Sequence, residues 1–199
     1  MNKFRLNKIF FYATICFCLL MTAITVKADQ QMVIRNNFSN NNMVLLGSAL
    51  KKFLTFRVVT VDLYIADGSK SEDVLADIPK RLEVNYHVNI PKQELDRATI
   101  KGIKQNFSQE QLTALMPQIN QINSYYPDVK SGDQIAVTYV PGLGSQVQLN
   151  GQVKGVVPTE EFAKAFFSIW VGENPVDKQA KLKLLGAKDN RKLKGEGVE

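Results

Sequence analysis

Few side chains in this 199-residue chain can do chemistry by themselves. His87 is the only imidazole, so any histidine-based triad would have to use it, and strand alternation places it with Asn85 and Asn89 on a solvated face. A Cys/His zinc centre needs three or four ligands, and Cys16, Cys18 and His87 are the whole supply, so no metal site is expected. Acids pair at Glu72-Asp73 and Glu160-Glu161. Neighbours at a helix start point in different directions and suit the helix dipole better than joint acid–base work. The sequence contains no Gly-x-Ser-x-Gly, no phosphate-binding loop and no Gly-x-Gly-x-x-Gly, and no cofactor is called for. Pro141-Gly142-Leu143-Gly144-Ser145 has the glycines of a phosphate cradle, but strand patterns flank it on both sides. Without a helix N-terminus to receive the anion it reads as a hairpin turn. What remains is a binding constellation: Lys51, the strand Leu54–Ala66, and a helix carrying Phe162, Phe166 and Trp170 with one hydroxyl at Ser168. A cation facing such a helix would suit an elongated apolar ligand with one anionic or phenolate end. The same residues also fit a plainer assignment, with the aromatics in the core and Lys51 on the surface.

These residues must be positioned by strands and helices that the patterning makes visible. From Leu54 to Ala66, Val59, Val61, Leu63 and Ile65 share one face, and Phe56, Val58, Thr60, Asp62 and Tyr64 the other. Ser69-Lys70-Ser71-Glu72 has the form of a capping box before a short helix through Val74, Leu75 and Ile78, ended by Pro79. Leu82, Val84, Tyr86 and Val88 alternate as a half-exposed strand. Pro91 at N1 opens a helix carrying Leu95, Ala98, Thr99, Gly102, Ile103 and Phe107. A second capping box, Ser108 to Gln111, opens another helix through Leu112, Leu115, Ile119 and Ile122. Ile135, Val137 and Tyr139 return to strand spacing, and Asn150-Gly151 between alternating segments signals a two-residue hairpin. Pro158-Thr159-Glu160-Glu161 begins the aromatic helix, and a last helix through Ala180, Leu182 and Leu185 closes at Gly186. The expected fold class is α+β, an antiparallel sheet covered on one face by helices.

Residues 1–28 read as a secretory signal peptide. Lys3, Arg5 and Lys8 precede an apolar stretch from Ile9 to Val26, and Val26-Lys27-Ala28 offers a small residue for cleavage; a retained anchor is the alternative. Removing this leader changes the charge argument. The whole chain carries 25 basic and 19 acidic residues, but the leader holds four of the bases and no acid, leaving 21 against 19. An apparent case for a nucleic-acid partner largely disappears with it. Residues 29–186 form the expected domain, and 187–199 a charged, frayed tail. Both cysteines lie in the leader, which excludes disulfide and thiol chemistry from the mature chain. The expected location is periplasmic or secreted, without stable membrane insertion after cleavage.

The chain carries, in order, Gly47-Ser48-Ala49-Leu50-Lys51, Leu63-Tyr64-Ile65, Ser131-Gly132-Asp133-Gln134-Ile135, Tyr139-Val140-Pro141-Gly142, Asn150-Gly151, and Phe167-Ser168-Ile169-Trp170-Val171-Gly172 with Leu184-Leu185-Gly186. This order of motifs resembles the chalcone isomerase-like family in its exported bacterial branch. The resemblance implies an open-faced β-sandwich whose ligand cleft lies between the large sheet and the helices. It also implies a pocket with an arginine, a threonine, a tyrosine, an asparagine and a late Ser or Thr. Lys51 matches the first with the charge kept and the planar fork of donors lost. Val59 falls at the second without a hydroxyl, no tyrosine occurs from residue 88 to 124, and Ser168 matches the last. These departures argue against chalcone cyclisation, which needs an oriented phenolate and stabilisation of enolate charge. The expected ligand-contacting set is Lys51, Val59, Tyr64, Phe166, Ser168 and Trp170, with no residue assigned to catalysis. The leading functional expectation is a non-catalytic binder of a small amphipathic molecule, such as a fatty acid or a phenolic compound. An intramolecular lyase acting on an enone, and an interaction module whose pocket has closed, are the alternatives.

Overall fold

The structure is a computed structural model that describes residues 42–187. The expected leader and the charged tail beyond Ala187 lie outside the described residues. Six strands form one antiparallel sheet: β1 (Met43–Phe53), β2 (Phe56–Ala66), β3 (Lys80–Tyr86), β4 (Gln134–Val140), β5 (Gly144–Leu149) and β6 (Gln152–Val157). Each strand pairs with the next in sequence, so the sheet is a simple meander. Helices α1 (Lys92–Lys104) and α2 (Gln109–Ser124) connect β3 to β4, and α3 (Glu160–Val171) and α4 (Lys178–Leu184) follow β6.

Local chemistry explains the joints. Asn150 and Gly151 take φ of 50° and 77° between the paired residues Leu149 and Gln152, the mirror-image turn whose twist matches a hairpin. Gly142 and Gly144 likewise sit at positive φ in the β4–β5 turn, which is therefore a chain reversal and not an anion cradle. Ser108 and Gln111 cap α2 reciprocally, and the Thr159 hydroxyl accepts the Phe162 N–H at the start of α3. Two expected helix starts shift. Pro91 occupies the N-cap of α1 in an extended conformation rather than N1. Residues Ser71–Leu75 form only a 3-10 turn, with the Asp73 carboxylate accepting the Lys70 N–H, so the box falls one residue later than Ser69 to Glu72.

Strand alternation divides the sheet. On one face Val59, Val61, Leu63 and Ile65 of β2 join Leu82 and Val84 of β3 and Val137 and Tyr139 of β4 under the helices. Lys80 shares this face and is 1 % exposed. Its ammonium donates to the Ala76 carbonyl at 2.6 Å and stands 4.9 Å and 5.4 Å from the rings of Tyr139 and Phe167. Burial pulls it down to about 8, against the opposing pull of Asp77 and Glu160.

The other face carries a chain of polar side chains. Ser48 Oγ and Asn85 Nδ2 donate to Asp62, Gln134 Nε2 donates to Asn85 at 2.9 Å, and Arg81 donates to Glu83, Thr138 and Gln148 at 2.6, 2.7 and 2.9 Å. His87 is tied to this side: its Nε2 lies 2.7 Å from Thr60 Oγ1, which half-buries a ring expected to be solvated.

Two glycines set the distance of the helical layer. A Cβ on Gly47 of β1 would lie 2.1 Å from the Lys183 carbonyl oxygen, so α4 packs backbone to backbone on the first strand. A Cβ on Gly102 of α1 would lie 2.6 Å from Ile169 Cγ2, so α1 and α3 meet at a point where one side has no side chain.

Candidate functional site

Where α4 lies on β1 the layers are closed. Farther along the sheet, over β3 and β4, they part and leave a cleft of about 350 Å³. Its floor is Leu82, Val84, Ile135 and Val137; α1 supplies one wall with Leu95, Ala98 and Thr99, and α3 the other with Phe166, Ile169 and Trp170. The Asn106 side chain holds the far ends of these walls together. Its Nδ2 lies 3.2 Å from the carbonyl oxygens of both Gly102 and Ser168, and its Oδ1 accepts the Asn174 N–H at 2.8 Å.

The cleft is apolar apart from a few groups. Lys51 reaches its lining from β1, with its ammonium 3.9 Å from the Asp177 carboxylate and its side chain 42 % exposed. Asp177 is the N-cap of α4, where its other oxygen accepts the N–H groups of Gln179 and Ala180 at 3.0 Å. Two phenols, Tyr86 and Tyr126, also line the cleft. Burial pushes both above the ordinary tyrosine range. Tyr126 adds to the effect on Tyr86, and Asp96 to that on Tyr126, while side-chain hydrogen bonding with Thr99 opposes it at Tyr126. Lys101 of α1 is a second lysine of the lining. At neutral pH the cleft therefore presents neutral O–H groups and two cations, Lys51 and Lys101, a set that receives an anionic or carbonyl oxygen. Among the described residues no group of three or more His, Cys, Asp or Glu side chains could hold a metal ion.

Of the residues expected to contact a ligand, the structure brings Lys51, Phe166 and Trp170 together around the cleft. Val59 lies on the correct face, paired with Lys51 and Tyr86, but is buried in the core beside the cleft rather than in its lining. Tyr64 requires correction: it points to the polar face, where burial and the carboxylates of Glu83 and Asp62 raise its phenol. Ser168 also requires correction, because its hydroxyl is buried and donates to the Ala165 carbonyl at 2.7 Å. The cleft itself lies over β3 and β4, with α1 as a wall, and not between β2 and α3 as expected. Two phenols outside the expected contact set, Tyr86 and Tyr126, line the cleft from just outside the tyrosine-free interval 88 to 124. Tyr86 was visible as an apolar-face member of Leu82-x-Val84-x-Tyr86-x-Val88; Tyr126 had no local signal.

Comparison with known proteins agrees with this architecture. No curated protein matches the chain. Among solved structures, a fatty-acid binding protein from Arabidopsis thaliana is similar, with a TM-score of 0.58 at 16 % identity, covering 73 % of this chain and 87 % of that one. At that identity the likeness establishes the fold. The family model described as chalcone isomerase-like matches residues 22–186. A match over that span, carried by a six-stranded meander with helices on one face, places the chain in the chalcone isomerase-like family.

Proposed function

We propose that this protein is an exported binder of a small amphipathic molecule with an anionic end, of which a fatty acid is the simplest example. The observation that carries this reading is the open apolar cleft with Lys51 at its edge and two protonated phenols in its lining. An acid head would displace Asp177 from Lys51 while the apolar part lies along Phe166, Ile169 and Trp170. The similar fold of the Arabidopsis fatty-acid binding protein supports it. The open volume speaks against a module whose pocket has closed. Export rests on the leader pattern, and the N-terminus of the mature protein, measured by mass spectrometry, should be Asp29.

Trp170 is the sole tryptophan, so its emission reports occupancy of the cleft directly. Titration with a long-chain fatty acid should shift that emission and raise the melting temperature. Lys51→Ala should weaken binding about five- to tenfold with little change in stability, as expected for one charge-assisted contact at a partly exposed site. No emission change, no thermal shift and no lipid in a native extract would defeat the proposal. The phenols favour a second reading, an intramolecular lyase acting on an enone, because they could donate to a developing enolate. A spectrophotometric cyclisation assay separates the two: background rates in both the parent and Tyr86→Phe eliminate the enzyme.

A further inference from the structure

The most exposed large apolar side chains are gathered on one hairpin. Phe53 is 70 % exposed, Leu54 81 % and Phe56 67 %, all at the tip joining β1 to β2. Three features of this tip are unfavourable for a hairpin that faces only water. Apolar surface is left uncovered. Leu54 takes φ of 55°, a region in which glycine or asparagine would be cheap and leucine is strained. Lys52 and Arg57 are directly paired across the strands, setting like charges opposite one another. No acid occurs between Ser48 and Val61 to offset them. The strands also slip in register between Lys51 and Lys52, a bulge that turns the tip relative to the rest of the ladder.

One partner answers both the uncovered apolar surface and the facing cations. We propose that the β1–β2 tip docks reversibly on an anionic lipid bilayer, with Phe53, Leu54 and Phe56 entering the interfacial region and Lys52 and Arg57 contacting headgroups. Aromatic and aliphatic side chains gain by leaving water there, and each cation gains from the negative surface potential. A three-residue tip anchors peripherally and spans nothing; among the described residues no helix is long and apolar enough to cross a membrane. Lys51 is adjacent to the tip and lines the cleft, so docking would bring that edge of the cleft to the membrane surface. The docking itself does not depend on which ligand, if any, the cleft holds.

Co-sedimentation of the full chain with vesicles of equal parts phosphatidylglycerol and phosphatidylcholine tests this. Phe53→Ser with Phe56→Ser should lower vesicle affinity about a hundredfold or more, roughly tenfold for each buried aromatic. Lys52→Glu with Arg57→Glu should lower it at least about twentyfold at low salt and have little effect on phosphatidylcholine alone. Because every variant keeps the same N-terminal segment, any contribution of that segment cancels in the comparison. Leu54→Trp in a Trp170→Phe background reads the tip alone, because the introduced tryptophan is then the only one in the chain: its emission should shift to the blue and be quenched by brominated lipid. Equal binding by the parent and the double serine variant, or an unquenched tryptophan at 54, would overturn the proposal. So would a parent that is dimeric by light scattering and becomes monomeric in the serine variant with vesicle binding unchanged, which would make the tip a contact between copies.

Discussion

The polar face of the central strands and the cleft on their opposite side handle polar groups in opposite ways. On one, Ser48, Asp62, Asn85, Gln134, Glu83, Arg81, Thr138 and Gln148 bond to one another across five strands. On the other, Tyr86, Tyr126, Lys51 and Lys101 stand among apolar side chains, and the carboxylate neighbour of Lys51 is at 3.9 Å, beyond a good hydrogen bond. Groups that satisfy each other hold a sheet together; groups left with spare donors beside an open volume are available to something else. By this contrast, substitutions on the polar face should act on stability and those at the cleft on binding.

Arg81→Ala should break the contrast most severely. It removes three hydrogen bonds and leaves the Glu83 carboxylate half-buried without its cation, so stability should fall by about 3 kcal/mol in urea unfolding, with ligand affinity of the folded protein unchanged. Alkaline titration has the next largest effect. Lys80 titrates near 8 when folded and near its usual 10.5 when unfolded, so the unfolded chain binds more protons between these values and stability should rise with pH there, by about 1–2 kcal/mol. Above pH 10 the sign reverses, because the raised phenols of Tyr86, Tyr126 and Tyr139 hold protons that the unfolded chain releases. Lys80→Met should abolish the rising limb and leave the fall. Tyr86→Phe should change stability by less than about 1 kcal/mol while weakening an anionic ligand several-fold. Asp177→Asn is the mildest and sharpens the comparison furthest: asparagine still caps α4, and with the competing charge gone the ligand should bind about two- to fivefold tighter.

Much of the architecture was written locally. Period-two alternation gave β2, β3 and β4 their faces, and Asn150-Gly151 fixed the last hairpin, because strand faces and tight turns depend on neighbours in sequence. The same alternation already set Tyr64 beside Asp62 and away from Val59, so its place on the polar face was legible. The position of the cleft was not. It depends on which strands α4 covers, and that is decided by the Gly47 contact with Lys183, residues far apart in the chain. Tyr86 and Tyr126 meet only because α1 and α2 fold back between them. Ser168 was misread for a local reason: a serine inside a helix can satisfy itself on the preceding turn, and here it bonds Ala165.

Gly102 touches no part of the open volume, yet the absence of its side chain lets α1 and α3 close to the separation that defines the walls. Under the proposed binding role, the size of molecule admitted is therefore set at this helix contact as well as by the lining. A single added methyl there would wedge the helices apart and admit a bulkier molecule without altering any residue the molecule meets. Under the same proposal, relatives that differ at this position would differ in the bulk of molecule they accept while presenting identical cleft surfaces.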